Sequence, residues 1–221
     1  MELYNISENI YKLSIKTYVG MPVIINTWYI IEDSKVYIID TGMDEYTDLQ
    51  SKIAKQLGEP QAILLTHGHL DHINGAKSLK SKLNIPIYAH PSELPYINGE
   101  VPYPNNNKTE NTGVEYQVNP LQKKHFHQLP FKFYHTPGHA PGHVVFYHEK
   151  DSVLICGDLF ISQKYTLHPP IKKFTYNMEA NINSGNIINK LQPRIITTAH
   201  GHDTQFREEM YHVYKFTYEE G

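Results

Sequence analysis

The chain has 221 residues, of which 14 are His and only one, Cys156, is Cys. A single Cys excludes an intramolecular disulfide and every zinc site that needs two or more thiolates, so any metal site must use His and carboxylates. A hydrophobic fraction of 40% predicts a globular protein. The net charge of −3 disfavours a nucleic-acid partner, because it provides no overall attraction to a polyanion.

The N-terminal residues lack the basic start and apolar stretch of a signal peptide, and no apolar run reaches the ~18 residues of a membrane helix. We therefore expect a soluble, cytoplasmic protein without a membrane partner. The composition leaves the oligomeric state open.

Short apolar runs separated by polar turns predict an alternation of strands and helices. In the first half they predict a hairpin of 28–31 and 36–39, a helix over 44–57, a strand over 62–65, a helix over 73–83 and a strand over 85–89. Residues 91–124 are rich in Pro and Asn, which predicts an insertion of turns and loops. The second half predicts strands over 131–134, 144–147 and 153–155, a helix over 181–191 and a last strand at 195–196.

The two halves of the chain share a pattern. A strand that ends at Asp40 leads through a helix to a strand followed by His67-Gly68-His69. Asp158 leads in the same way to His200-Gly201-His202. The pattern favours two similar halves with their loops at one edge; the alternative is that apolar strands simply end in polar loops.

The strongest local motif is His67-Gly68-His69-Leu70-Asp71-His72, which follows a predicted buried strand. Residues at i and i+2 of an extended segment share a side, so His67 and His69 can reach one ion. Gly68 lets the backbone bend there. Asp71 and His72 then point elsewhere as the chain enters the helix, which indicates two adjacent ions rather than one.

Three further residues follow strand ends and lie beside a Gly. They are His139, Asp158 and His200. Each signal is weak alone, because a loop His or Asp is usually solvated or caps a neighbouring element. Together they form a convergent set with the motif at 67–72.

With these residues in this order, the chain resembles the metallo-β-lactamase-fold hydrolase superfamily from residue 28 to about 202. The resemblance rests on Asp40-Thr41-Gly42, Thr66-His67-x-His69-x-Asp71-His72, Thr136-Pro137-Gly138-His139, Gly157-Asp158 and His200. It implies an α/β fold, a four-layer αββα sandwich of two similar halves. We expect one such domain over 1–221, with the insertion at about 91–124.

The resemblance also implies a ligand set for two divalent ions. His67, His69 and His139 would hold one ion, Asp71, His72 and His200 the other, and Asp158 would bridge them. Zinc is the expected metal, with iron or manganese as alternatives, because imidazole and carboxylate ligands suit all three. True β-lactamases of the superfamily carry Cys at the position of Asp158, so the chain looks more like the glyoxalase II, lactonase and phosphodiesterase branches.

A hydroxide that bridges two ions would be the expected nucleophile at neutral pH. Asp71 is the candidate catalytic residue, because it could orient this hydroxide and pass its proton to the leaving group. Asp40 and Thr66 are expected to hydrogen-bond to the ligating imidazoles.

Tyr165 or His168 is expected to contact the substrate, since both follow Asp158 closely in sequence. Residues 19–27, expected as a loop, would form an opposite, apolar wall. The insertion at 91–124 either forms a lid or has no role at the site. We expect His143 to lie behind the ligands and His90 to be structural, and assign no metal to the remaining His, which are His125, His127, His135, His148, His168, His202 and His212.

Four functions remain open from the sequence. We favour hydrolysis of a small-molecule ester, lactone or thioester. The alternatives are a phosphodiesterase or nuclease, an iron-dependent oxidoreductase of the same fold, and a non-catalytic metal-binding module.

Overall fold

Two β-sheets face one another in the computed structural model, which describes residues 1–18, 20–125 and 129–219. The first sheet has seven strands in the spatial order β1 to β7. They are Glu2–Ser7 (β1), Ile10–Tyr18 (β2), Pro22–Glu32 (β3), Lys35–Ile39 (β4), Glu59–Leu64 (β5), Ile87–Ala89 (β6) and Val118–Pro120 (β7).

The first four strands form an antiparallel meander, and β5, β6 and β7 extend it in parallel. The predicted hairpin is confirmed, with Trp28 opposite Ile39. The expectation of a loop over 19–27 is wrong for most of that segment. Val19 lies outside the described residues, but β3 begins at Pro22 and pairs with the whole of β2, because its run of apolar residues favours a strand.

The second sheet has five strands in the spatial order β14-β13-β10-β9-β8. They are Phe131–His135 (β8), Val144–His148 (β9), Val153–Ile155 (β10), Ile195–Thr197 (β13) and Thr204–Gln205 (β14). A separate two-stranded hairpin of Ile161–Gln163 (β11) and Thr166–His168 (β12) follows β10.

The described residues form seven α-helices, of which all but the last lie between strands. They are Thr47–Leu57 (α1), Leu70–Ile73 (α2), Ala76–Leu83 (α3), Leu94–Ile97 (α4), Met178–Ser184 (α5), Ile187–Leu191 (α6) and Met210–Glu219 (α7). The helix predicted over 73–83 is interrupted at Asn74–Gly75, and the one predicted over 181–191 at Gly185–Asn186. None of the helices in the described part of the chain is long and apolar enough to span a bilayer.

Three apolar clusters define four layers. In the first, Ile53 of α1 and Leu79 of α3 pack on one face of the first sheet. The second cluster lies between the sheets and joins Trp28 of β3 to Phe146 of β9. In the third, Tyr214 of α7 and other helical residues cover the outer face of the second sheet. This arrangement is the αββα sandwich that the sequence predicted.

The insertion over 91–124 is more than turns and loops. It contains α4 and β7, and β7 joins the first sheet by pairing in parallel with β6. Ile97, Tyr103 and Val114 are buried, so this segment contributes to the core. Its apolar residues stand singly among Pro and Asn, which explains why no periodic pattern revealed them.

Candidate metal centre

All seven predicted ligands meet at one edge of the sandwich. The motif at 67–72 follows β5, while His139 follows β8, Asp158 follows β10 and His200 follows β13. They form three overlapping groups, and within each group the candidate ligand atoms lie within 4.8 Å of one another. The groups are His67, His69 and His139; His67, His72 and Asp158; and Asp71, His72 and His200.

The first group consists of three imidazoles. His69 Nδ1 lies 3.0 Å from His67 Nε2 and 3.0 Å from His139 Nε2. Burial holds the pKa of His67 and of His139 well below the ordinary value, and desolvation lowers the pKa of His69 to about 4. All three are therefore neutral at pH 7, which is the protonation state that binds metals.

The other groups mix imidazoles with carboxylates. His200 Nε2 lies 3.2 Å from Asp71 Oδ2 and 3.4 Å from Asp158 Oδ2. Burial acts to lower the pKa of His200, but Asp158 and Asp71 outweigh it and raise this pKa to about 10. The same opposition raises the pKa of His72 well above its ordinary value. Asp158 also lies 3.3 Å from His139, so it stands between the two ends of the centre.

Asp40 and Thr66 contact two of these imidazoles, as expected. Asp40 Oδ2 lies 2.8 Å from His72 Nδ1 and accepts a hydrogen bond from the Thr66 hydroxyl at 2.7 Å, and the Thr66 N–H donates to Oδ1 at 2.7 Å. The Thr66 hydroxyl also lies 3.1 Å from His67 Nδ1. These contacts leave the Nε2 atoms of His67 and His72 directed at the centre.

Two further contacts orient the centre. His143 Nε2 accepts a hydrogen bond from the Asp158 backbone N–H at 3.2 Å, so this imidazole lies behind a ligand as expected. His200 Nδ1 lies 2.8 Å from the carbonyl oxygen of Ile24 on β3. A proton on Nδ1 satisfies that carbonyl, so a metal ion that displaces the other ring proton would bind at Nε2. The sequence did not predict the role of Ile24, because it is a backbone contact.

The residues fit a divalent metal. His72 Nε2 and Asp158 Oδ1 are buried and lie 3.4 Å apart, but neither makes a hydrogen bond among the described residues. An unpaired polar atom in a protein interior costs free energy, and a cation would compensate for it. Five imidazoles and two carboxylates form a donor set suited to zinc, iron or manganese.

A cavity of about 1240 Å³ opens over the centre, and Asp71, His139, Asp158 and His200 form part of its wall. Its apolar wall includes Met21, Val23, Ile24, Ile161, Ile171, Phe174 and Tyr176. Of the segment 19–27, expected to form an apolar wall, Met21, Pro22, Val23 and Ile24 line the cavity, and β3 supplies the last three. Tyr165 also lines the cavity, with an exposed fraction of 68%.

His168 is placed differently from Tyr165. Its Nε2 atom lies 2.8 Å from Thr166 Oγ1, and His168 is not among the described residues that line the cavity. Its position therefore gives no support to a substrate contact.

The insertion supplies one side of the cavity. Tyr103, Pro104, Asn105, Asn106 and Glu110 line it. The Asn105 amide donates a hydrogen bond to the carbonyl oxygen of Thr175, which joins the insertion to the segment that carries Phe174. The insertion is thus part of the cavity wall.

The remaining His whose side chains the structure describes belong to none of the three groups. His90 stacks on His135 with ring centroids 4.1 Å apart, and His148 is buried 2.6 Å from Glu32. His212 is exposed, and His202 lines the cavity. His127 lies outside the described residues, as does the side chain of His125.

A family model described as the metallo-beta-lactamase superfamily matches residues 20–203. The chain is 46% identical to the probable metallo-hydrolase YybB of Bacillus subtilis (strain 168), with 99% of each chain covered. It is 30% identical to the hydroxyacylglutathione hydrolase of Klebsiella pneumoniae over 61% of this chain and 47% of that protein.

Solved structures agree with this assignment. BLEG-1 B3 metallo-beta-lactamase matches at a TM-score of 0.66 and 26% identity, covering 90% of this chain and 96% of that one. TTHA1623 in a di-iron-bound form matches at a TM-score of 0.67 and 25% identity, covering 89% of this chain and 96% of that one. The chain belongs to the metallo-β-lactamase superfamily and is a hydrolase of that superfamily.

Proposed function

We propose that the centre binds two divalent ions, with zinc expected first and iron or manganese as alternatives, and that the chain hydrolyses a small ester, lactone or thioester. His67, His69 and His139 would hold one ion; Asp71, His72 and His200 would hold the other. Asp158 would serve both, since it lies 3.3 Å from His139 and 3.4 Å from His200. The observation that carries the proposal is the overlap of the three groups, because the group that contains Asp158 shares His67 with the first group and His72 with the third. The di-iron-bound form of TTHA1623 supports it.

The bound ions would supply a water-derived nucleophile near neutral pH and stabilise the charge that develops on the attacked carbonyl oxygen. The chain's own contribution begins with Asp71. Its side chain is 30% exposed and lines the cavity, whereas the side chain of Asp158 is only 9% exposed. Asp71 is therefore the carboxylate of the centre that is best placed to take a proton at Oδ1, the oxygen that does not face His200, and to return it to the leaving group.

The wall of the cavity supports an uncharged or partly apolar substrate. Among the described residues that line it, Lys164 is the only Lys or Arg, and Glu110 adds a negative charge. Phosphate backbones are bound through several cations, so this wall favours a carboxylic ester, lactone or thioester over a polynucleotide. The hydroxyacylglutathione hydrolase named among the relatives supports a thioester in particular.

Tyr165 is the residue that we propose as a substrate contact. Tyr165 lies in the segment that follows Asp158, and its exposed side chain lines the cavity. Its hydroxyl can donate a hydrogen bond to the carbonyl oxygen of a substrate. We further propose one domain over 1–221, a cytoplasmic location and no nucleic-acid partner.

The test is a substrate panel on metal-replete protein. Panel members are aryl and alkyl esters, lactones, acyl thioesters and a phosphodiester. We expect hydrolysis of at least one of the first three classes, and a loss of about 10²–10⁴-fold in kcat for Asp71→Ala, the range typical of a lost acid–base group. Asp48→Ala is the matched control, because Asp48 is exposed on α1 and pairs only with Lys82 among the described residues.

Three outcomes would contradict the proposal. If Asp71→Ala is as active as the parent, the role of Asp71 is wrong. Activity on the phosphodiester alone would overturn the substrate class. A blank panel with metal bound would favour a non-catalytic metal-binding module.

A further inference from the structure

Glu93 is a buried carboxylate at the start of the insertion, and its exposed fraction is 0%. It lies in a short 3₁₀ turn, Pro91–Glu93, which directly follows the strand β6. A buried charge needs hydrogen-bonding partners. The partners of Glu93 come from three separate parts of the centre.

Two of these partners are backbone N–H groups in the loops that carry predicted ligands. Glu93 Oε2 accepts a hydrogen bond from Gly68 at 2.9 Å, and Gly68 lies between His67 and His69. Glu93 Oε1 accepts one from Gly142 at 2.6 Å, in the loop that follows His139. One carboxylate therefore connects the two loops that supply the first imidazole group.

The third partner is the Tyr103 hydroxyl, which donates to Glu93 Oε2 at 2.6 Å. The Tyr103 ring packs edge-on against the imidazole of His69, with ring centroids 4.6 Å apart. Glu93 thus fixes a ring that contacts His69, in addition to the loop on which His69 lies.

Glycine at 68 and 142 allows this close approach. A Cβ at position 142 would lie 2.9 Å from Cγ and from the backbone N of Glu93. A Cβ at position 68 would collide with the Tyr103 hydroxyl and lie 2.6 Å from Ile97 Cγ1. Both loops therefore pack directly against the insertion, at positions where a larger side chain would separate them.

We propose that Glu93 is a positioning residue, which holds His67, His69 and His139 in the geometry that binds the first metal ion. All three partners are donors, so the ionised carboxylate satisfies each of them. The inference rests on the proposed function, since it assumes that these imidazoles bind an ion. It also gives the insertion a role at the centre that is separate from lining the cavity.

The test is the affinity for Zn²⁺, measured by competition with a chromophoric chelator on the full chain. In Glu93→Gln the side chain keeps its shape but one oxygen becomes an NH₂ group, which faces a donor instead of accepting from it. We expect the dissociation constant of the tighter Zn²⁺ ion to rise by about 10–100-fold, as is typical when a partner behind metal ligands is lost.

Glu115→Gln is the matched control. Glu115 lies in the same insertion, and its carboxylate accepts from the backbone N–H groups of Thr112 and Gly113, both at 3.0 Å, but from neither ligand loop among its described contacts. We expect its Zn²⁺ affinity to equal that of the parent. Thermal unfolding of the metal-free proteins measures how much each variant is destabilised. If Glu93 positions the ligands, Glu93→Gln loses more Zn²⁺ affinity than Glu115→Gln does for the same loss of stability.

A second variant, Gly142→Ala, disturbs the hydrogen bond between Gly142 and Glu93 without changing Glu93. It tests the positioning role if Glu93→Gln does not fold. We expect weaker Zn²⁺ binding, because the added methyl group separates the loop from Glu93. If Glu93→Gln and Gly142→Ala both fold and bind Zn²⁺ as tightly as the parent, the positioning role is wrong while the metal site stands. If the parent itself binds no Zn²⁺, iron or manganese, the proposed function fails with it.

Discussion

Asp40 and Asp158 occur in the same pattern in the two halves of the chain, but their carboxylates have different surroundings. Asp40 hydrogen-bonds to Thr66 and His72 and stays behind the imidazoles. Asp158 faces His72, His139 and His200 directly. In the first half Asp40 itself is left-handed, with φ of 56°, whereas in the second half the left-handed residue is Gly157, directly before Asp158, with φ of 50°. Asp40 is thus the left-handed residue of its turn and supports the imidazoles, whereas Asp158 follows the left-handed residue and lies in the centre.

The two His-Gly-His segments also differ in how many of their histidines belong to the candidate metal groups. His67 and His69 both belong to the first imidazole group, while His200 joins the other end of the centre and His202 lines the cavity outside the groups. Gly201 has φ of 127° and forms an isolated β-bridge with Ser162, whereas Gly68 has no positive φ, so the backbone differs between the two segments. The repeated sequence pattern therefore predicts which side chains lie at the edge of the sandwich. The backbone dihedral angles determine which of those side chains face the metal centre.

Removal of the central carboxylate should have the largest effect. In Asp158→Ala we expect Zn²⁺ affinity to fall by more than about 100-fold, beyond the range for a lost supporting partner. Elemental analysis after dialysis should show fewer ions per chain than the parent. Asp48→Ala is again the control, because Asp48 is exposed on α1 and pairs with Lys82 outside the centre. If Asp158→Ala binds as many ions as the parent, the proposed difference in role between Asp40 and Asp158 is wrong.

Loss of the supporting carboxylate should have a smaller effect on metal and a clear effect on stability. Asn tolerates a left-handed φ as Asp does, so Asp40→Asn preserves the turn. One of the buried donors then lacks an acceptor, which we expect to cost about 1–3 kcal/mol in urea unfolding of the metal-free protein. Unchanged stability in Asp40→Asn would show that its hydrogen bonds to Thr66 and His72 do not matter to the fold.

The smallest effect should come from the second histidine of the second segment. His202 lies outside the three groups, so His202→Ala should keep the Zn²⁺ affinity and stoichiometry of the parent. His200→Ala, measured beside it, should bind Zn²⁺ more weakly, because His200 Nε2 lies 3.2 Å from Asp71 Oδ2. Equal losses in the two variants would mean that both histidines of the segment act at the centre.

The sequence predicted the strands and helices that have an uninterrupted apolar pattern. It did not predict β2, although Ile10, Leu13 and Ile15 are buried there. Lys12 is also buried in this strand and pairs with Asp203. A charged residue therefore occupies a position at which the alternating pattern of a strand would have an apolar one. Only the tertiary partner, 191 residues away, explains it.

Much of the candidate centre could likewise be predicted, because its side chains follow strand ends and carry metal-binding chemistry. Glu93 could not be predicted, since it accepts from backbone N–H groups 25 and 49 residues away and no motif marks them. The choice between Tyr165 and His168 also needed coordinates. The two are three positions apart, and of these two only Tyr165 lines the cavity.

The edge of the sandwich at the centre is closed by hydrogen bonds between β3 and the end of β13. The indole N–H of Trp28 donates to Thr197 Oγ1 at 2.9 Å, and the Asn26 amide donates to the Thr198 carbonyl at 2.8 Å. These partners are 169 and 172 residues apart in the chain. Contacts between such distant segments are slow to form, because the entropy of closing the loop must be lost first. We therefore expect His200 to join the other candidate ligands only after these two distant segments have met during folding, so that the complete centre forms late.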